Sequence, residues 1–262
     1  MVEEPVLSGA ASPRVGDIVL LSSNSGVSGV RLPSGPWLHE LVTGAVVVDQ
    51  AGTELLQAVS RIRIPGDGGG PEQDGWWMKV LHEMLPGPVN GVRVLRRGRS
   101  VAWVTLSDKG ARGERVDTSG PAIAEMVDAT LCTSMIRGFL LPDSWSELKA
   151  VLVDLALFQQ VDLILTTGGT GVGPRDISPE ATLAVIEKRL PGFEQVMTRT
   201  SLTKTPHGMI SRAVAGTLGN SLIINLPGSP RAVAENLAAV LPAVEHTLAK
   251  LQGDSSDCAR HG

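Results

Sequence analysis

The segment "TTGGTGVGPRDISPEAT", residues 166–182, places glycines at 168, 169, 171 and 173 between an apolar run and a helix-like stretch. Glycine at such positions permits positive φ and lets backbone N–H groups approach an anion without side-chain obstruction, so the loop offers a cradle for phosphate. No Gly-Lys-Ser/Thr follows, which excludes a Walker A loop, and Pro174 breaks the G-x-G-x-x-G dinucleotide pattern. A purely connective glycine-rich turn is the competing reading. Asp176 bears on the choice, because a carboxylate beside bound phosphate repels it unless a cation intervenes. Its presence points to Mg²⁺ shared between carboxylate and phosphate oxygens. Capping of the next helix, where Ser178 is also available, is the alternative. Asp143 in "LLPDSWSEL" also follows a strand-like run and precedes a helix-like one, so both acids are expected on one rim. Taken singly, Asp143 reads as an N-cap; taken together, Asp143 and Asp176 form a candidate metal site.

The elements that must position these residues follow from periodicity. "SVAWVTLS", "TSMIRGFLL", "VDLILTT" and "SLIINLP" are continuous apolar runs of strand length. Between them lie "TSGPAIAEMVDAT", a helix with Thr118 or Ser119 as N-cap, and "SWSELKAVLVDLALFQQ", a helix opened by a capping box from Ser144 to Glu147. "SPRAVAENLAAVLPAVEHTLAKLQ" reads as a long helix with Pro230 near its first turn and Pro242 inside it. Alternating strands and helices predict an α/β doubly wound fold with a mostly parallel sheet. Ligands then bind beyond the carboxyl ends of the strands, where the glycine loop lies.

Upstream, "IPGDGGGPEQDG" at 64–75 reads as a loop, "GDIVLLSS", "GAVVVDQAG" and "NGVRVLRRG" as strands, "TELLQAVSRIRI" as a helix turning into a strand, and "DGWWMKVLHEML" as a helix. The expected division is a small β-rich or α+β unit over 1–97, the main unit over 98–252 and a polar tail over 253–262. Trp37, Trp76 and Trp77 are expected in the small unit's core rather than at an interface.

A chain of 262 residues with 42% apolar content can bury a core, and a net charge of −4 gives no footprint for nucleic acid. The two cysteines, Cys132 in a strand-like run and Cys258 in the tail, support no disulfide framework and fit a reducing compartment. The first residues lack a basic, apolar leader, and no run reaches the ~18 apolar residues of a membrane span, so a cytoplasmic protein is expected. His39, His82, His207, His246 and His261 are scattered and form no obvious triad with a nucleophile.

From about residue 99 to 251 the chain resembles the molybdenum cofactor biosynthesis G-type domains, the group containing MogA, MoaB and the corresponding domain of gephyrin. "LILTTGGTG" with "PRDISPEAT", then "LPGF", "TPHGMISR" and "LIINLPGSP", follow the family's motifs in order, and "SDKGARGERVDTSG" resembles its first loop. The resemblance implies a molybdopterin adenylyltransferase that moves AMP from Mg-ATP to the terminal phosphate of molybdopterin and releases pyrophosphate. Asp143 and Asp176 match the two essential acids and are assigned Mg-ATP alignment. Thr167, Gly168, Gly169, Thr170 and Gly171 match the ligand loop. Ser107, Asp108 and Asp117 match the first loop, with plain turn hydrogen bonding as the alternative for the first two. Ser211 and Arg212 match a pair in which serine positions substrate and arginine meets phosphate, a solvated surface pair being the alternative. Asn225, Pro227, Gly228 and Ser229 match a ligand-contacting turn, although the prolines also serve simply to shape it.

The resemblance further implies a homotrimer and a MoeA-type insertase as partner. Arg112 and Arg115, in a first loop without aromatics, either reach a phosphate or have no such role. Some relatives carry a MOSC sulfur-carrier module ahead of this region, but residues 1–97 contain no cysteine. A molybdopterin-binding protein without turnover is the alternative function. A MoeA-type insertase needs additional domains, and NAD chemistry lacks its fingerprint.

Overall fold

The computed structural model describes residues 6–8, 13–21, 29–31, 36–64, 70, 72–83 and 91–254, and the chain divides into two units, Met1–Gly98 and Arg99–Gly262. The first unit contains β1 (Val6–Ser8), β2 (Ile18–Leu21), β3 (Gly29–Arg31), β4 (Val46–Val48), β5 (Glu54–Ile64), β6 (Gln73–Val80) and β7 (Arg93–Leu95). They form one sheet in the order β1-β3-β2-β6-β5-β4-β7, antiparallel except between β2 and β3.

Two helical expectations fail here. "TELLQAVSRIRI" is the long strand β5: its register against β4 skips Leu55, between the Leu56 and Glu54 pairs, so adjacent Leu55 and Leu56 are both buried, and a second shift between Ala58 and Ser60 against β6 interrupts the alternation further on. The first part of "DGWWMKVLHEML" is β6, with Trp76, Met78 and Val80 pointing into the core. Trp77, 40% exposed, puts an apolar residue on the other face and hides the alternation. Trp76 and the partly buried Trp37 pack in the core cluster, whereas Trp77 does not. Of the loop expected over 64–75, Ile64 ends β5 and 73–75 open β6, while most of the rest, like the tail with Cys258 and His261, lies outside the described residues.

The second unit runs β8 (Arg99–Leu106), α1 (Asp108–Ala111), α2 (Ser119–Thr130), β9 (Thr133–Leu141), α3 (Trp145–Val153), β10 (Leu163–Thr167), α4 (Ser178–Leu183), β11 (Lys188–Arg189), α5 (Pro191–Leu202), β12 (Ala215–Leu218), β13 (Ser221–Leu226) and α6 (Pro230–Leu251). The sheet order is β11-β12-β13-β10-β8-β9. β13, β10, β8 and β9 are mutually parallel, and β11–β12 closes one side as an antiparallel extension while β9 borders the other.

Alternate residues serve opposite faces. Leu163, Leu165, Leu222 and Ile224 pack with Ile123 and Val127 of α2 and Leu237 and Val244 of α6. Ile164 and Ile223 pack with Leu148 and Leu152 of α3 and Ala181 of α4. Burying both faces is why these strands read as continuous apolar runs. The chain leaves β8 outward to β9 and returns to β10 on the other side of β8, so the connections diverge between β8 and β10. That divergence opens a crevice at the strand carboxyl ends.

Local capping differs from the sequence reading. Thr118 is the N-cap of α2 by position but makes no side-chain cap bond; Asp117 Oδ1 instead accepts from the N–H groups of Ser119 and Gly120 at 3.0 Å each. Ser144 precedes α3 without a side-chain cap bond, so the capping box is not formed, and the helix passes into a π-helical turn over Asp154–Phe158. Cys132 is exposed and lies just before β9 rather than inside it. Among the described residues no helix is long and apolar enough to cross a membrane.

At the opposite end of the strands, Asp162 is 1% exposed and accepts from Ser100 N at 2.8 Å, Ser100 Oγ at 2.9 Å and Gln252 Nε2. These bonds tie the end of α6 to the start of β8.

Candidate active site

The glycine loop after β10 is held by its carbonyls. Gly168 O accepts from Ser178 Oγ (2.6 Å), Gly169 O from Ser178 N (3.0 Å), Thr170 O from Arg212 N (2.9 Å) and Gly171 O from Arg212 Nε (2.6 Å). Positive φ at Gly168 (96°) and Gly169 (62°) makes this possible, and a Cβ at Gly168 would stand 2.6 Å from Leu106 O. With the carbonyls turned into the protein, no acceptor within the described residues engages the N–H groups of Gly169, Thr170 or Gly171. Such an array of amides matches the requirement for receiving an anion.

Asp176 does not cap α4. Its Oδ2 accepts from Gly173 N at 2.7 Å, closing the loop on itself, and α4 begins without a side-chain cap. Asp143, after β9, does not cap α3 either: its Oδ2 accepts from Asp108 N at 3.2 Å, while Asp108 Oδ1 accepts from Asp143 N at 3.1 Å. This reciprocal pairing joins the loops after β8 and β9, and Arg175 pairs with the Asp108 carboxylate. Burial pushes the Asp143 carboxyl above its ordinary value, and the Asp108 and Asp176 charges add to the rise against the Asp108 amide and Arg175. Asp108, Asp143 and Asp176 therefore share one rim.

The donor set fits a hard cation held jointly with a ligand. Negative charge is in excess at the rim, yet among the described residues no three acidic, imidazole or thiol groups converge to hold an ion unaided. Ligand oxygens would have to complete the coordination shell.

Beside the rim, at the β8–β10 crevice, lies a pocket of about 350 Å³. Ser107, Asp117, Thr167, Gly168, Gly228 and Ser229 all line it. Ser107 Oγ accepts from Gly110 N at 3.0 Å, and Thr167 Oγ1 donates to Pro227 O at 2.6 Å. Ser229 caps α6 by accepting from Ala232 N at 3.3 Å. Asp117 Oδ2 accepts from Thr105 Oγ1 at 2.6 Å.

The comparisons with known proteins concern this unit. Residues 102–246 match the family model described as a probable molybdopterin binding domain. The chain belongs to this family. The molybdopterin adenylyltransferase of Helicobacter pylori is 39% identical over 155 residues, 59% of this chain and 88% of that protein. Gephyrin from Dictyostelium discoideum is 38% identical over 157 residues, but the match spans only 22% of its length. The solved structure of the molybdopterin biosynthesis enzyme MoaB from Thermus thermophilus aligns with a TM-score of 0.56 at 44% identity, covering 60% of this chain and 98% of that one.

Within this molybdopterin-binding family member, two residues expected at the ligand are committed elsewhere. Asn225 is 0% exposed; its Nδ2 donates to Thr166 Oγ1 and Thr182 Oγ1 at 2.8 Å each, and its Oδ1 accepts from Val214 N at 3.2 Å. Its amide locks β13 to β10 and α4 and cannot reach a ligand. Arg212 gives Nε to Gly171 O, Nη2 to Asp176 O at 2.9 Å and Nη1 to the Glu180 carboxylate, so its donors shape the loop rather than meet phosphate. Ser211 lies on the approach to this clamp, its N–H bonded to Gly208 O at 3.3 Å. Gly110, Val116, Ser119 and Leu140 also line the pocket, and sequence reasoning misses them as site residues. Sequence offers Ser119 only as a cap, whereas its Oγ donates to Gly228 O at 3.2 Å. The small residues within "DTSGP" are the available signal.

Proposed function

We propose that the chain is a molybdopterin adenylyltransferase acting in molybdenum cofactor biosynthesis. The observation that carries the reading is the meeting of Asp143 and Asp176, from separate loops, on one rim beside a crevice pocket. The likeness to named molybdopterin adenylyltransferases supports it.

In this reading, an oxygen of the molybdopterin terminal phosphate attacks the α-phosphorus of ATP. A new phosphoanhydride bond forms, the bond from the α-phosphorus to the bridging oxygen breaks, and pyrophosphate leaves with the electron pair. The attacking phosphate is already ionised at neutral pH, so no protein base is required. Asp143 and Asp176 would hold Mg²⁺ with the nucleotide, and the ion would neutralise charge on the phosphate oxygens when bound. The Gly169–Gly171 amides offer donors to a phosphoryl group, fixed in advance by the bonded carbonyls. The Asp108–Asp143 pairing sets the height of the acidic rim. The proposal includes the finer expectations of a homotrimer in the cytoplasm that hands its product to a MoeA-type insertase. It assigns the chemistry to the unit beginning near residue 98.

Incubation with molybdopterin, ATP and Mg²⁺ should yield adenylylated molybdopterin and pyrophosphate. Asp176→Asn and Asp143→Asn should each lower turnover by about tenfold to a thousandfold while molybdopterin still binds. Unchanged turnover in both variants would remove the acids from the mechanism, and binding without product from the unaltered protein would favour the non-catalytic alternative.

A further inference from the structure

The pocket and the rim have opposite electrostatic needs. At the rim three carboxylates outnumber the arginines near them: Arg175 is already paired with Asp108, and Arg112, which feels the Asp108 charge, is paired with Glu114. That side suits a triphosphate arriving with its own cation. The pocket contains one acid, Asp117, whose two oxygens accept from Thr105 Oγ1 and from the Ser119 and Gly120 amides. Arg115 is the only cationic side chain among the described residues lining the pocket.

The loop from Ser107 to Thr118 carries two arginines, and the structure separates them. Arg112 is held by both oxygens of Glu114, Nε at 2.8 Å and Nη2 at 3.2 Å, and does not line the pocket. Gly113, with φ of 73°, turns the chain, and Arg115 then reaches the pocket wall. No hydrogen bond or ion pair to another described residue occupies its guanidinium. An anion entering beside Asp117 requires a countercharge, and a free guanidinium fork matches two phosphate oxygens at once.

We propose that Arg115 is the specificity-determining residue for the metal-free substrate, docking the phosphomonoester of the pterin in the pocket while the metal-bound nucleotide lies against the acidic rim. This rests on the adenylyltransferase reading and deepens it. Ser107 lines the pocket and Asp108 belongs to the rim, so adjacent residues mark the line across which the adenylyl group passes. The volume of about 350 Å³, with the faces of Val116 and Leu140 beside the Ser119 and Ser229 hydroxyls, admits a small polar ring system carrying one phosphate.

The test uses the full-length protein and Arg115→Ala, Arg115→Lys and Arg112→Ala. Molybdopterin binding is titrated in chelator without ATP, with inorganic phosphate as competitor, and KM is measured for molybdopterin and for Mg-ATP. Arg115→Ala should weaken metal-free binding about tenfold to a hundredfold, the scale of a charge-assisted contact, and leave KM for Mg-ATP unchanged. Arg115→Lys should recover part of the affinity, and Arg112→Ala should bind like the unaltered protein. Affinity of Arg115→Ala within twofold of the unaltered protein, or a change confined to KM for Mg-ATP, overturns the assignment. If the unaltered protein makes no product yet binds pterin through Arg115, adenylyl transfer fails and this assignment stands. Intact turnover with binding indifferent to Arg115 overturns the assignment and leaves adenylyl transfer standing.

Discussion

Arg212 shows how a residue beside a site acts through the backbone rather than on the ligand. It holds Gly171 O and Asp176 O, the two ends of the loop that carries Asp176. Its ion pair with Glu180 is partly solvated and adds little. Arg212→Ala should cost about 1–3 kcal/mol for the stranded carbonyls and lower the melting temperature by a few degrees. Amide exchange across residues 169–176 should speed up, and kcat should fall more than either KM. Arg212→Lys retains charge without the fork and should protect the loop poorly. A raised substrate KM with exchange unaltered would instead place the guanidinium on phosphate, the role that the family resemblance implies.

Among the elements, the parallel strands are legible in the sequence because both faces are buried and Leu163 to Thr167 or Ser221 to Leu226 contain nothing but buried residues. The small unit is less legible: the register shifts of β5 against β4 and β6 and the outward Trp77 each break the period of two. At the site, the carboxylates and glycines announce themselves by type, whereas Asn225 and Arg212 require coordinates, since sequence does not show which polar group is already satisfied. The bond set around Asp162 is equally hidden, because it joins residues 62 and 90 positions apart. Asp162→Ala should destabilise by about 2–4 kcal/mol, as expected when a buried acceptor is lost and its donors are left unpaired. Urea unfolding measures this, and a loss below about 0.5 kcal/mol would show that the Asp162 bonds contribute little to holding α6, leaving that to packing and to Arg99, which bonds Glu245 and Gln252.

For the whole molecule, the division at Gly98/Arg99 and the confinement of the family match to 102–246 predict that residues 99–254 form a self-sufficient enzyme. That fragment should unfold cooperatively and keep adenylyl transfer within a fewfold of the full chain; an unfolded fragment, or a folded inactive one, would make the first unit part of the machinery. β9 has a further consequence. It borders the sheet with nine residues, Thr133–Leu141, and only β8 pairs with it among the described strands. A border of that length, with Met135, Ile136, Phe139, Leu140 and Leu141 in its sequence, is a template on which a second extended chain can add during synthesis or at high concentration. Arg137, stacked 5.4 Å from the Phe139 ring centroid, is the one charge within that run, and it stands as the gatekeeper against self-association.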